Sequence, residues 1–285
     1  MERENKKKIL AMMPAFNEQG NIGPVIRKIR QASRETDVLV IDDGSRDKTA
    51  AVARVEGAKT ISLSSHMGYG VALQTGYKYA FEQGYDYLVQ LDADGQHDPA
   101  YITDFLSVVM SGEADVVVGS RFLGDRSAGG AQALSYRPGF ARNMGIKLFA
   151  CLTSLLVGFR VTDPTSGYQA LNRKVIGFFI RDFFPYNYPD ADIILMAHRA
   201  GFRIKELPIV ILRRQHGKSM HGGMKSIFYP FALFLSMFMT LLRGKPPFLR
   251  NERAFREQLL ASTGNGDPGP METKDDPQRA IRKLG

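Results

Sequence analysis

The chain has 285 residues, of which 44% are hydrophobic and 24% charged, so it is long enough for a large globular core. Its formal net charge of +9 favours an anionic partner such as a nucleotide, a nucleic acid or a lipid surface. The single cysteine, Cys151, excludes a disulfide framework and a cysteine-based metal site. After Lys6–Lys8 the apolar run Ile9–Met13 is too short for a secretory signal, so we expect none there.

Apolar runs and amphipathic segments alternate through the first half of the chain. The predicted strands are Ile9–Met13, Val38–Ile41, Lys59–Leu63, Tyr85–Gln90 and Asp115–Val118. The predicted helices between the first four strands are Asn21–Ala32, Asp47–Val55 and Gly70–Gln83. This alternation predicts an α/β fold with a mainly parallel central sheet and helices on both faces.

The second half of the chain is less regular. A loop rich in glycine, serine and alanine is predicted at 126–139, and Ile146–Val157 is a strongly apolar predicted helix. A second apolar run with basic flanks, Ile227–Leu242, would measure about 24 Å as a helix, less than the ~30 Å hydrocarbon core of a bilayer. We predict that it lies in the membrane interface, with a short spanning helix and a buried core helix as alternatives.

These patterns divide the chain into three parts. Residues 1–222 are predicted to form the α/β domain, 223–250 the apolar membrane-interface helix, and 251–285 a polar, disordered tail.

Two carboxylates, Asp92 and Asp94, follow a predicted strand where it ends. Ligands bind at the carboxyl ends of strands in open α/β sheets. Mg²⁺ prefers oxygen ligands and is usually held by one or two carboxylates together with substrate phosphates. The pair therefore predicts a metal that bridges the protein to a diphosphate, and an acidic turn is the alternative.

Polar signatures follow three predicted strands, at Pro14–Glu18, Asp42–Ser45 and Asp92–Asp94. Parallel strands bring their carboxyl ends to one edge of a sheet, where carboxylates can accept hydrogen bonds from a ribose or a base. Three such motifs in this order predict a nucleotide site more specifically than any one of them.

With these motifs the chain resembles the family-two glycosyltransferases of GT-A fold, and within them the dolichyl-phosphate mannose synthase-like group, from about Ile9 to about Ser219. The motifs that carry the resemblance are Pro14-x-x-Asn17-Glu18, Asp42-Asp43-Gly44-Ser45-x-Asp47, His66-x-Gly68-x-Gly70-x-Ala72-x-x-x-Gly76, Asp92-x-Asp94-x-Gln96-x-x-Pro99, Gly119-Ser120-Arg121 and Asp163-Pro164-Thr165-Ser166-Gly167-Tyr168. The resemblance implies an inverting, metal-dependent transfer of mannose or glucose from a GDP- or UDP-hexose to polyprenyl or dolichyl phosphate. It also implies a location at the cytoplasmic face of the cell membrane.

The resemblance further implies which residues bind the donor. The base and ribose would be held by Pro14, Phe16, Glu18, Ile41 and Asp43. Mg²⁺ or Mn²⁺ would be bound by Asp92, Asp94 and Gln96, with Ala93 packing near the nucleotide. A basic loop containing Arg214 and Lys218 would close over the donor diphosphate; Met220 stands where relatives often carry lysine, so Lys218 would supply that charge.

Arginine suits the acceptor phosphate because its planar fork makes bidentate charged hydrogen bonds. By resemblance this phosphate would be held by Arg121 together with Arg137 or Arg142, which both fit the second place. Ala141 stands where relatives often carry serine, which departs from the acceptor pattern.

An acidic residue before the predicted helix Ile193–Arg199 would lie near the acceptor, with Asp192 the first choice and Asp190 the second. A hydroxyl acceptor would need such a base, whereas capping of the helix explains the pair equally well. The predicted catalytic residues are therefore Asp94, Asp192, Asp190 and Arg121.

Other functions and partners compete with this interpretation. A transferase that acts on a soluble or glycan hydroxyl acceptor is the first alternative, and a non-catalytic scaffold in a membrane glycan-assembly complex is the second. The Ile146–Val157 helix fits a lipid groove or plain core equally well. No interleaved basic and aromatic motif supports nucleic-acid binding, and a small membrane protein is a further candidate partner.

Overall fold

The computed structural model describes residues 6–123, 133–134, 140–181, 184–185, 190–214 and 239. All of these belong to one unit, Met1–Gly244. The strands are β1 Ile9–Ala15, β2 Thr36–Asp42, β3 Lys59–Ser62, β4 Tyr87–Gln90, β5 Val116–Ser120, β6 Ala133–Leu134, β7 Gln169–Asn172, β8 Ile204–Pro208 and β9 Ile211–Leu212. The helices are α1 Ile22–Ala32, α2 Thr49–Val55, α3 Tyr69–Glu82, α4 Ile102–Met110, α5 Phe140–Val157, α6 Arg173–Phe179 and α7 Asp190–Arg199, with a 3₁₀ turn at Pro99–Tyr101.

A seven-stranded sheet in the described part of the chain has the order β3-β2-β1-β4-β7-β5-β8. β7 runs antiparallel to both of its neighbours, and the other pairs in this sheet are parallel. The predicted α/β class with a mainly parallel sheet is therefore confirmed. A smaller antiparallel pair joins β6 to β9.

Both faces of the sheet are covered by helices. Successive strand residues point to opposite faces, yet every residue of β1 is buried. On one face, β1 packs in a hydrophobic core with α1, whose buried side chains Val25, Ile26 and Ile29 recur at helical spacing. On the other face Met12 meets α3 so closely that a Cβ at Gly76 would lie 1.9 Å from the Met12 sulfur. Only glycine allows this approach between the helix and the strand.

The order of strand connections reverses beside β1. The chain runs from β1 to β2 to β3 on one side and then returns to β4 on the other side of β1. In open α/β sheets such a switch point opens a crevice at the carboxyl ends of the strands, where ligands bind. The motifs that follow β1 and β4 meet at this crevice.

Among the described residues, no helix combines the length and the hydropathy that crossing a bilayer requires. The run Ile227–Leu242 lies outside the described residues except for Met239, and the tail 251–285 lies outside them completely. The interface helix and the disordered tail therefore stay predictions.

Candidate active site

Three strand ends are joined by one arginine and by short backbone links. Asp43 donates its backbone N–H to the carbonyl of Ala15 at 2.9 Å, which holds the end of β2 against the end of β1. The guanidinium of Arg214 hydrogen-bonds to Glu18, which follows β1, and its Nη1 lies 3.4 Å from Oδ2 of Asp94, which follows β4. The structure thus brings together the predicted donor-site residues Glu18, Asp94 and Arg214.

The turn after β1 is built to present Glu18. Asn17 has a positive φ of 56°, which its short amide side chain tolerates, and its Oδ1 accepts from the backbone of Arg46 at 2.8 Å. Glu18 is buried and accepts from Nδ2 of Asn21 at 2.6 Å. Burial raises the pKa of Glu18, and the hydrogen bond from Asn21 and the charge of Arg214 oppose that rise. A buried carboxylate here is stable because it is paired.

Asp43 holds a loop over the end of β2. Its carboxylate accepts from the backbone N–H groups of Met67 at 2.7 Å and Gly68 at 3.0 Å and lies 2.8 Å from Nδ1 of His66. Residues 66–68 begin the glycine-rich motif His66-x-Gly68-x-Gly70, and His66, the histidine of that motif, pairs with Asp43 in this structure. A nucleotide at Asp43 would therefore share this carboxylate with the loop.

Phe16, just after β1, contacts the same loop. Its ring stacks on His66 with centroids 4.0 Å apart. Pro14 lies opposite Ile41 in the β1–β2 register, and both residues are buried. The predicted base-and-ribose residues therefore lie on two adjacent strand ends.

Asp92 and Asp94 differ in burial. The Asp92 side chain is 38% exposed and that of Asp94 only 16%. Oδ1 of Asp94 accepts from the backbone of Gln96 at 3.0 Å. Burial, followed by the charge of Asp92, raises the pKa of Asp94, whereas the Gln96 N–H, His97 and Arg214 lower it. A cation beside this pair would relieve the repulsion between the two carboxylates.

The donor set suits a hard divalent cation that also binds phosphate. Within the described ranges, no group of three or more His, Cys, Asp or Glu side chains is arranged to hold a metal ion. Mg²⁺ does not need a third such ligand, because two carboxylates and substrate phosphates often suffice. The guanidinium beside Asp94 also shows that a positive charge is accommodated there. The residues present therefore fit a divalent metal.

His97 holds the backbone of Asp92 in place, and the sequence analysis did not predict it as a site residue. Its Nδ1 accepts from the backbone N–H of Asp92 at 3.1 Å, and its ring stacks on Tyr168 with centroids 5.0 Å apart. Burial lowers the pKa of His97 to about 4. The imidazole is therefore neutral near pH 7, which leaves Nδ1 able to accept this hydrogen bond.

A relay of hydrogen bonds leads to the Asp92 carboxylate. Gln90 accepts from the Tyr77 hydroxyl and donates its Nε2 to the Tyr69 oxygen at 3.3 Å and to the Gly167 carbonyl at 3.1 Å. The Tyr69 hydroxyl in turn donates to Oδ1 of Asp92 at 3.3 Å. A Cβ at Gly167 would lie 2.9 Å from the Tyr69 hydroxyl and 3.1 Å from Asp92 Oδ1, so a larger residue would disturb both.

The segment that carries Arg214 is pinned to the strand ends. Ile209 donates its backbone N–H to the Ser120 carbonyl at 2.9 Å, and Leu212 donates to the Gln96 carbonyl at 2.8 Å. Val210 donates to the Tyr101 hydroxyl at 3.2 Å. These bonds place Arg214 over Asp94, which the sequence pattern alone did not specify.

Arg121 forms a buried ion pair with Asp163. Its Nε and Nη2 donate to the two carboxylate oxygens at 2.6 Å each, and Nη2 also donates to Thr165 at 2.7 Å. Asp163 is completely buried, and the loop around it is held by Glu206, which accepts from the backbone of Asp163 at 2.8 Å. An acceptor phosphate would have to share this guanidinium with Asp163, so the predicted phosphate grip of Arg121 stays a prediction.

The remaining predicted residues, four assigned to the acceptor side and Lys218 assigned to the donor diphosphate, are less closely defined. Asp192 is completely buried on α7, a helix that packs against α5. Asp190 is the first residue of α7, and Arg142 lies in the first turn of α5. Arg137 and Lys218 lie outside the described residues.

Comparison with known proteins places this site in a family. The sequence profile described as "Glycosyl transferase family 2" matches residues 11–176. The chain is 29% identical over 226 residues to a polyprenol monophosphomannose synthase of Mycolicibacterium smegmatis, covering 76% of this chain and 82% of that protein. It is 31% identical over 225 residues to an undecaprenyl-phosphate mannosyltransferase of Micrococcus luteus, covering 76% of this chain and 88% of that protein.

A solved structure shares the fold. It is glucosyl-3-phosphoglycerate synthase of Mycobacterium tuberculosis, in complex with Mn²⁺, uridine diphosphate and phosphoglyceric acid. It aligns with a TM-score of 0.63 and 20% identity over 85% of this chain and 80% of that one.

The fold and the strand-end carboxylates define a GT-A glycosyltransferase, as the resemblance implied. The chain belongs to glycosyltransferase family 2.

Proposed function

We propose that this glycosyltransferase moves a hexose, mannose or glucose, from a GDP- or UDP-sugar to polyprenyl phosphate, with inversion at the anomeric carbon. The observation that carries the donor half is the cluster of Asp92, Asp94, Glu18 and Arg214 at the switch point of the sheet. The names of the two mannosyl-transferring relatives support the acceptor half. We place the reaction at the cytoplasmic face of the membrane, with the 223–250 helix attached to its surface.

The donor diphosphate would lie over Asp92 and Asp94. In this proposal these carboxylates and Gln96 would hold Mg²⁺ or Mn²⁺. The solved mycobacterial synthase has been crystallised with Mn²⁺ and UDP-glucose. A bound divalent cation neutralises the charge that develops on a departing diphosphate. Arg214 adds a second, protein-borne positive charge on the same side of the site.

In this proposal the protein's side chains orient the donor, and the reaction needs little proton transfer. Phe16 and Asp43 border the base and ribose, and Asp92 is oriented by Tyr69 and by the backbone bond to His97. A phosphate acceptor is already ionised near neutral pH, so its oxygen can attack the anomeric carbon in line without a strong base. Asp192 and Asp190 would be needed as a base only for a hydroxyl acceptor.

A soluble phosphorylated acceptor is the second candidate. It is favoured by the fold shared with a synthase whose crystals contain phosphoglyceric acid. The two functions differ in where the labelled sugar goes, because a polyprenyl product partitions into organic solvent and a phosphoglycerate product stays in water.

The test is a transfer assay with labelled GDP-mannose, GDP-glucose and UDP-glucose and with either polyprenyl phosphate or 3-phosphoglycerate as the acceptor. The proposal expects label in the organic phase with one of these donors and polyprenyl phosphate. Label only in the aqueous product with 3-phosphoglycerate would favour the second candidate, and the absence of transfer from every donor would contradict both.

We expect Tyr69→Phe to weaken the binding of the divalent metal while leaving the fold intact. Loss of the hydroxyl removes the hydrogen bond that orients Asp92, and such supporting contacts are worth about 10–100-fold in metal affinity. A Mn²⁺ titration followed by activity should show a higher half-saturating concentration with a similar maximal rate. Tyr79→Phe, on the same helix, is the matched control and should leave the titration unchanged. Equal titrations of Tyr69→Phe and wild type would show that the relay does not position Asp92.

A further inference from the structure

Arg214 is a largely buried cation that lies between two carboxylates. Its side chain is 18% exposed, and those of Glu18 and Asp94 are 7% and 16% exposed. Its Nη2 donates to Oε1 of Glu18, and its Nη1 lies 3.4 Å from Oδ2 of Asp94. One guanidinium therefore pairs with a carboxylate that follows β1 and with one that follows β4.

Both oxygens of the Asp94 carboxylate are engaged by the protein itself. Oδ1 accepts from the backbone N–H of Gln96 at 3.0 Å, and Oδ2 faces the guanidinium of Arg214. Asp92 differs, because its side chain is 38% exposed and accepts a hydrogen bond from the neutral Tyr69 hydroxyl. Asp94 is therefore the carboxylate of the pair whose charge Arg214 compensates.

A divalent cation and this guanidinium compete for the same negative charge. Two positive charges close together in a largely buried site repel each other strongly, because little water screens them. A diphosphate changes the balance, since its oxygens bind Mg²⁺ together with protein carboxylates and also accept charged hydrogen bonds from arginine. The metal and Arg214 can then both be neutralised in the same site.

The backbone before Arg214 is fixed, whereas its long side chain has several rotatable bonds. Leu212, the last residue of β9, donates its backbone N–H to the Gln96 carbonyl at 2.8 Å. Arg214 follows two residues later. A change of side-chain rotamer can therefore move the guanidinium away from Asp94 while the backbone of β9 stays in place.

We propose that Arg214 is an internal counter-cation that holds Asp94 in the donor-free protein, opposes metal binding there, and passes to the donor diphosphate when metal and donor bind together. This inference rests on the proposed function for its metal and its donor. It deepens that function by making metal binding depend on a nucleoside diphosphate. Linkage requires the reverse as well, so the metal strengthens nucleotide binding by the same factor.

The first test is the binding of Mn²⁺ to the donor-free protein, followed by the electron paramagnetic resonance signal of free Mn²⁺. Arg214→Met removes the charge and should bind Mn²⁺ about tenfold more tightly than the wild type, or better. An opposite charge within about 4–6 Å changes the proton affinity of a carboxylate by about 10- to 1,000-fold, and a metal ion experiences the same competition.

Three further variants assign the effect to this charge and this carboxylate. Arg214→Lys keeps the charge and should bind Mn²⁺ nearly as weakly as the wild type. Arg213→Met removes a charge from the exposed neighbouring residue and should leave Mn²⁺ binding unchanged. Adding Asp94→Asn to Arg214→Met should abolish the gain in affinity.

The second test measures the coupling between metal and nucleotide. The Kd values of GDP and UDP, which carry the diphosphate but no sugar, are compared in EDTA and in saturating Mn²⁺. Mn²⁺ should strengthen nucleotide binding by a larger factor in the wild type than in Arg214→Met, because only in the wild type does the diphosphate also draw a cation away from Asp94. An arginine that only binds phosphate would not reduce this factor when it is removed.

Thermal unfolding checks the fold of the variants. In EDTA, Arg214→Met should unfold at a lower temperature than the wild type, because Glu18 and Asp94 lose the cation that they share. Mn²⁺ should raise the Tm of this variant more than that of the wild type. If Arg214→Met does not fold, Arg214→Gln, which keeps hydrogen-bond donors without the charge, serves in the same tests.

Equal or weaker Mn²⁺ binding by folded, donor-free Arg214→Met would overturn the inference. A coupling factor in that variant equal to or larger than the wild-type factor would also overturn it. Neither result involves transfer of a sugar, so both leave the transferase proposal intact. Conversely, failure of transfer from every donor, with tighter Mn²⁺ binding in Arg214→Met, would contradict the transferase proposal and leave the counter-cation role intact.

Discussion

Asp94→Asn should lower hexose transfer by about 10²–10³-fold, the usual size of the loss when one charge-stabilising group leaves an active site. A neutral amide is a poor ligand for Mg²⁺ or Mn²⁺, and it no longer pairs with Arg214 as a charge. The fold should survive, because burial and the charge of Asp92 already make the Asp94 carboxylate costly to ionise, as its raised pKa shows. The measurement is initial rate with saturating donor, together with thermal unfolding.

The matched control is Asp104→Asn, which changes an exposed aspartate on α4 and should keep the wild-type rate. Turnover of Asp94→Asn within a few-fold of wild type would contradict the role of this carboxylate. Undiminished turnover of the wild type in EDTA would contradict the proposed requirement for a divalent metal.

Arg121→Ala should destabilise the protein by about 3–5 kcal/mol, because it leaves the completely buried carboxylate of Asp163 without its charged partner. For a domain of this size the loss corresponds to a fall in Tm of about 6–20 °C. Arg203→Ala removes a pair with Asp115 in which the arginine side chain is 61% exposed. Asp115 keeps its hydrogen bonds from the Asn172 side chain and from the backbone of residue 203, so this variant should lower Tm less than Arg121→Ala does. Equal, small shifts for both variants would contradict the buried ion pair.

A stable double variant separates this structural role from the predicted phosphate grip. Replacing a buried ion pair by apolar residues of similar volume is often neutral, so Arg121→Met with Asp163→Leu should recover much of the lost Tm. If Arg121 also binds the acceptor, the double variant should show a raised KM for polyprenyl phosphate and an unchanged KM for the donor. An unchanged KM for both substrates would show that Arg121 acts only structurally, through its ion pair with Asp163.

The parallel part of the fold could be predicted because its strands are continuous apolar runs. The strands predicted at Val38–Ile41 and Asp115–Val118 correspond to β2 and β5 within a few residues. The antiparallel strand β7 and the helix α4 were missed. β7 has only four residues, Gln169–Asn172, whose pattern is no stronger than that of a loop, and its pairing with β4 and β5 is a long-range tertiary interaction.

The part of the site that lies in short sequence motifs could be predicted from the sequence. Glu18, Asp92 and Asp94 could be identified because they lie in short motifs just beyond the ends of β1 and β4. Their structural partners could not be identified in this way, since Arg214 is 196 residues from Glu18 and Asp163 is 42 residues from Arg121. His97 was overlooked because a lone histidine has no distinctive spacing, although its place in the motif after Asp94 was a signal. Pairings across such distances depend on how the loops fold over the sheet edge.

The most direct test of the central claim is a thermal-shift panel of GDP- and UDP-hexoses with and without Mn²⁺. A donor present at a hundred times its Kd stabilises the native state by about 2.7 kcal/mol, which for this domain is a rise in Tm of about 5–10 °C. The strand-end site predicts that rise for at least one nucleoside diphosphate sugar with Mn²⁺, and a much smaller one in EDTA or in Asp94→Asn. No rise with any of these sugars, or the same rise in Asp94→Asn with EDTA, would contradict it.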